Sequence, residues 1–505
     1  MMSNLLARKS FRTVCFLSLG FLAISLATAV WESVTTAPTL SNVAYAQNNN
    51  NNNNNSNNNS NNRSGRSGNN NSNNNNDNGS SMSDLEYMGW GYRSMVGGFA
   101  IDAEKAFRVA AREEVSELGQ TVRSALAAIP SDLDQAVTQR KVSLRRLNDL
   151  VARCHADETP IPDAARYLGG LTAIEYVVAV PEENDIYLVG PAEGWTADDA
   201  GTIVGKESGK PVLLLEDLLT VLRAWNNTKP EVISCSIDPT QEALARFAAM
   251  EPMADPEVKR EANEAAMGMM TVSFSGIPES SRMATVLAAA DYRMKRLSLG
   301  FDAAPIKSLP SYFSMIRAKS SSSFAPRFWI EPAYDTVYHD ADGLVWNVAA
   351  TKAQALTERE YFDSLGNRTV SKKEDVAANR WARAMTERYD DLAEKDTVFA
   401  EVKNCMDLAL VVALVRFQNL PEKSGCDLAS LSDARILPTP DRGAVAQVPG
   451  NSLVRTIGTR GDYVSVTGGI EINPWEIVRD NVAVKADLVN PAVAVRFAED
   501  AFWAN

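Results

Sequence analysis

From residue 84 onward, apolar positions recur with two periods, one near 3.6 and one of 2, and the switches between them mark the expected elements. After a short strand near 95–101, Phe107, Ala111, Val115, Leu118, Val122, Leu126 and Ile129 fall every three or four residues, which predicts a single helix closed by Pro130. Residues 173–180 and 185–189 are β-rich runs separated by Pro181, Glu182, Glu183 and Asn184, a polar loop that suits a hairpin. An apolar strand is expected at 211–215, and Leu215, Leu218, Leu219, Leu222 and Trp225 then mark an amphipathic helix. The strand 232–237 follows, with Asp238 placed to cap a helix over 241–250. A strand at 270–274 leads to a helix opened by Ser280 or Ser281, with Met283, Val286, Leu287, Ala290, Met294 and Leu297 on one face and Gly300 to close it.

The serine-rich stretch 319–323 is the best internal boundary. Beyond it, 335–339 and 344–348 form a second hairpin about Asp340, Ala341, Asp342 and Gly343, and helices follow at 374–394 and 396–418, the latter with Asp396 as its cap. Strands alternating with helices indicate layers. The expected fold class is mixed α/β (α+β): a layered sheet with flanking helices over 84–318, a hairpin and helical part over 324–435, and a small β-rich region over 436–505.

The first 83 residues follow neither period. Arg8, Lys9 and Arg12 precede an apolar run over 14–30, the charged and hydrophobic regions of a secretory signal. Small-x-small cleavage motifs end at Ala29 and Ala46; the second is preferred, which gives a signal peptide over 1–46. An uncleaved anchor is the alternative, the run being at the short limit for spanning a bilayer. Residues 47–83 are dominated by asparagine and hold almost nothing apolar to bury, so nothing offsets the entropy of ordering them and a disordered linker is expected. The most apolar later segment, 408–415, is too short to cross a membrane and reads as a buried helix, so no span is expected in the mature chain.

With 505 residues, 45% of them hydrophobic and 22% charged, the chain has a globular composition and room for more than one core. Its net charge of -13 becomes 47 minus 62, or -15, without residues 1–46, which hold three basic groups and one acid. That sign repels phosphate backbones, so no nucleic-acid partner is expected. Only His155 and His339 are present, which excludes a site with several imidazoles on one chain; no metal and no cofactor are expected. Outside the leader remain Cys154, Cys235, Cys405 and Cys426. They either form disulfides, with three possible pairings, or are buried as small apolar side chains. The second is preferred, because a body this large does not need staples.

Most motif matches reduce to turns. Residues 205–211 (GKESGKP) have three residues between the glycines where a phosphate loop has four, and Pro211 stands where a hydroxyl is needed. The acidic turn at 340–343 lacks the carboxylate a calcium loop needs at its twelfth position, Ala349 standing there. Arg460-Gly461-Asp462 reads as turn chemistry between strands, and no nucleophile elbow occurs. Two clusters carry more. Glu193 and Trp195 sit on a Gly-Pro loop, which is the chemistry of a small binding site or of a tight turn with a docked indole. Asp291 and Lys295 stand at i,i+4 with Arg293 between them, either a surface ion pair or part of that site.

Tyr167-Leu168-Gly169-Gly170-Leu171, then 185–195 (DIYLVGPAEGW), 209–213 (GKPVL), 234–239 (SCSIDP) and 290–295 (ADYRMK) together resemble a secreted domain family of unknown function found in planctomycete bacteria, over about 95–420. The resemblance implies bacterial export and carries no catalytic or binding residue. The functional expectation is an exported, non-catalytic binding or scaffold protein, associated with the cell envelope or released, with a protein or polysaccharide partner. The alternative is a carboxylate-dependent hydrolase acting on polysaccharide, since acid pairs that suit such chemistry need not be marked by spacing.

Overall fold

Two seven-stranded sheets organise the computed structural model, which describes residues 95–225, 231–251, 253, 255–316, 324–348, 352–450, 452–457, 460–492 and 495–505. The signal region 1–46, the linker 47–83 and the boundary at 319–323 lie outside these residues. The fold is mixed α/β. The first sheet runs in the order Arg368–Val370, Ala353–Phe362, Phe324–Pro332, Thr467–Ile472, Ile233–Asp238, Met269–Ser275, Gln447–Pro449. Every pairing in it is antiparallel except that of Phe324–Pro332 with Thr467–Ile472. The second sheet is ordered Val482–Val484, Val337–His339, Val345–Asn347, Tyr176–Val180, Asp185–Ala192, Val137–Ser143, Trp503–Ala504. Segments 84–318, 324–435 and 436–505 thus each give strands to both sheets.

Helices connect them. Arg282–Leu299 packs on the first sheet, and Thr397–Phe417 packs on that helix in turn. Leu420–Ser424, in contact with Thr397–Phe417, rests on the second sheet. Burial on every side explains why Thr397–Phe417 lacks a polar stripe: from Val398 to Val415 only Ala400 and Lys403 reach solvent appreciably. Ser281 caps the first of these helices by accepting from the Ala284 amide at 3.1 Å, and Gly300, at φ 82°, ends it.

Several expectations are corrected by tertiary contacts. Phe107 begins no helix; Phe107–Val109 is a strand paired with Phe99–Ile101, its ring against Phe99 and Tyr292, and the helix runs Arg112–Ala125. Residues 211–215 make only a bridge from Val204 to Pro211 before helix Leu215–Ala224, since proline has no amide to continue a ladder. Thr240, not Asp238, caps the helix Gln241–Ala248, accepting from the Ala243 amide at 3.1 Å. Asp396 holds the N-cap position of its helix but turns its carboxylate to Arg293 at 3.1 Å. Arg460-Gly461-Asp462 is strand, not turn, paired with Ser452–Ile457. The hairpins at 181–184 and 340–343 form as expected, the second closed by Asp340 Oδ1, which accepts from the Leu344 and Val345 amides.

Candidate functional site

Glu193 and Trp195 each engage a different neighbour. The Glu193 carboxylate accepts from the Glu207 amide at 2.6 Å, the Ser208 amide at 3.1 Å and the Ser208 hydroxyl, and so clamps the turn at 205–211. Trp195 is buried edge-on against Tyr167. Arg293 lies over the Phe99 ring and pairs with Asp302 at 2.7 Å and with Asp396. Asp291 and Lys295 meet each other, fully buried rather than at the surface. Each of these residues closes on neighbours of its own. Cys154, Cys235, Cys405 and Cys426 are buried and free, with burial pushing the Cys426 thiol up to about 12 and those of Cys235 and Cys405 well above the usual range.

The interior holds more charge than the sequence suggested. Arg282 donates to Asp217 at 2.5 Å and to Glu401, and Arg442 grips Glu216 with contacts of 3.0 and 2.7 Å. Burial raises Asp217 above the ordinary carboxylate range despite Arg282, with Glu216 and Glu401 adding to it. Asp407, on the Thr397–Phe417 helix, is pushed up to about 7 by burial, against the pull of Lys403 and of a bond from the Ile174 backbone. These groups have their partners inside the protein. Among the described residues no three His, Cys, Asp or Glu side chains gather closely enough to hold a metal.

A second set of polar groups lies on the face of the first sheet opposite the Arg282–Leu299 helix, some half-buried and some buried. In the sequence Arg327-Phe328-Trp329-Ile330-Glu331, Phe328 and Ile330 turn inward and are buried, so Arg327, Trp329 and Glu331 share the other face. The register continues that face sideways: Trp329 lies opposite Leu356 on one side and Gly469 on the other, and Gly469 lies opposite Ser236. Gly469 thus leaves no side chain between the indole and Ser236. The next strand, Met269–Ser275, adds the exposed Thr271, Ser273 and Ser275.

The half-buried Trp329 indole donates to Glu331 at 3.2 Å, Gln354 donates to the same carboxylate at 2.8 Å, and Arg327 both stacks over the indole and pairs with Glu358 at 3.1 Å. Arg368 pairs with Asp238 at 2.9 Å, while the Thr467 hydroxyl donates to Glu360 at 3.1 Å. One position beyond the last paired residues Ile330 and Ile470, Glu331 and Glu471 are neighbours on parallel strands. Burial and the Glu331 charge both push Glu471 up, against the pull of Arg327. Sequence reasoning passed over this strand, although the alternation in 327–331 was its signal.

Compared with known proteins, residues 235–312 match the family model described as a protein of unknown function (DUF1598). No curated protein and no solved structure matches the chain. The matched stretch runs from Cys235, through Asp238 and the whole Arg282–Leu299 helix, to Tyr312.

Proposed function

We propose that this chain is an exported polysaccharide-binding protein whose ligand lies across the outward face of the first sheet. The observation that carries the reading is Trp329, a half-buried indole beside Glu331, Gln354 and Arg327 and next to Gly469, a strand position that carries no side chain. An aromatic plane ringed by hydrogen-bonding groups suits a sugar, which offers apolar C–H surfaces and hydroxyls together. Asp238, Glu331, Glu358, Glu360 and Glu471 outweigh Arg327 and Arg368, so the ligand is a neutral or amino-sugar chain rather than an acidic one. Export rests on the cationic and apolar leader and on the asparagine-rich segment behind it. The test is affinity electrophoresis of the full chain through neutral, amino and acidic polysaccharides. Retention by a neutral or amino glycan, weakened about tenfold or more by Trp329→Ala, a loss of about 1.4 kcal/mol, is expected. Retention equal in the variant, or seen only with acidic glycans, overturns it.

A specific observation also favours a hydrolase on the same face. Glu331 and Glu471 stand side by side on strands about 4.8 Å apart, a backbone spacing from which their carboxyl groups can reach the separation of about 5–5.5 Å that retaining glycosidases use. Glu471, held up by burial and by its neighbour, is the proton donor in this reading and Glu331 the nucleophile. Release of reducing ends that disappears in both Glu331→Gln and Glu471→Gln, with binding retained, decides for it; binding without turnover in the unaltered chain decides against it.

A further inference from the structure

Asp291 and Lys295 stand one turn apart on the helix Arg282–Leu299, with no exposed surface on either side chain. The Lys295 amine contacts Asp291 Oδ1 and donates to the Gly468 carbonyl at 3.0 Å, while Asp291 Oδ2 is buried with no hydrogen-bond partner. As two ions this arrangement is costly, because removing both charges from water is only partly offset by one contact, and the second carboxylate oxygen is left unsatisfied. The neighbouring charges are committed elsewhere: Asp238 is engaged by Arg368 and Ser236, and Arg327 by Glu358, so each acts on the pair only from a distance. Proton transfer from the ammonium to the carboxylate gives a neutral amine in contact with a neutral acid, which removes both buried charges and the need to satisfy an anionic Oδ2.

We propose that Asp291 and Lys295 are joined by an intramolecular amide bond that forms in the folded chain. The lone pair of the neutral Lys295 amine attacks the Asp291 carboxyl carbon. The carbon–nitrogen bond forms, the bond from that carbon to Oδ1 breaks, and Oδ1 leaves as water with its own proton and one from the amine. Nothing is oxidised or reduced, and no co-reactant is needed. The product keeps one N–H, which still donates to Gly468, and carries no charge to bury. The i,i+4 spacing supplies the encounter, and the carbonyl that orients the amine is fixed by backbone: Gly468 sits at φ 121°, where a Cβ would fall 1.7 Å from the Phe328 oxygen. Exclusion of water from the site disfavours the reverse reaction.

The test is mass spectrometry of the full chain, denatured and cut at lysine. Lysines stand at 259, 295 and 307, so a free Lys295 yields peptides 260–295 and 296–307. The expected result is instead one peptide, 260–307, lighter than its linear mass by one water, with no backbone fragments separating 291 from 295; Asp291→Ala restores the two peptides. Cleavage after Lys295 in the unaltered protein overturns the proposal, as does a water deficit that persists in Asp291→Ala. The unaltered chain gives its answer whether or not the variant folds.

Discussion

Arg282 Nη1 meets Asp217 Oδ2 at 2.5 Å while the other arm of the same guanidinium holds Glu401, so one cation from the Arg282–Leu299 helix ties together two other helices, Leu215–Ala224 and Thr397–Phe417. All three side chains are buried, and the cation has two anions to satisfy.

Replacing Arg282 therefore leaves two buried carboxylates without their counter-charge. Arg282→Met is expected to cost about 3–5 kcal/mol, the range for breaking a buried pair by removing one partner. Urea unfolding followed by tryptophan fluorescence measures it. A loss below about 1 kcal/mol would mean that the helices hold together without the charge.

Asp407 sets a pH dependence. Its folded pKa of about 7 lies above the ordinary carboxylate value, so between about pH 4 and 7 the folded state holds a proton that the unfolded chain has released. Stability from this group accordingly falls as pH rises through that window and is level above it, by roughly 2–4 kcal/mol in total. Asp407→Asn is expected to flatten the slope of unfolding free energy between pH 4 and 7, and an unchanged slope refutes the assignment.

Glu193 is expected to matter to folding and not to binding. Glu193→Ala leaves the Glu207 and Ser208 amides without their acceptor, a cost of about 1–3 kcal/mol. Hydrogen exchange at those two amides should accelerate while glycan retention stays the same. Loss of retention at undiminished stability would return Glu193 to the binding site.

Gly468 is expected to tolerate no side chain. Gly468→Ala forces a Cβ into the Phe328 carbonyl and into a left-handed backbone region, so the parallel pairing of Phe324–Pro332 with Thr467–Ile472 must open. The expected loss is about 2 kcal/mol or more, from backbone strain alone about 1–3 kcal/mol. A melting temperature like that of the unaltered protein would contradict this.

Local signals revealed elements whose reasons are local. Ser281 and Gly300 bracket a helix because a hydroxyl and a left-handed glycine satisfy its ends regardless of what packs beside it. The hairpin at 181–184 was legible because Asn184, at φ 51°, closes a short polar loop. Phe107 misled, since its spacing fits a helix while its ring is claimed by Phe99 and Tyr292. Trp329 was passed over because one strand's alternation says which residues share a face, not which other strands complete it.

By itself the sequence determined the mixed α/β class, most element types, and the acidic, histidine-poor chemistry available to the chain, because period, capping and composition are properties of neighbouring residues. Tertiary structure alone decided that strands from 233–238, 324–332 and 467–472 lie side by side. It also decided that Asp291 and Lys295 are interior rather than surface groups, and that Trp329 faces Gly469. The physical reason is that burial and strand pairing depend on residues more than a hundred positions apart, and no local pattern records that distance.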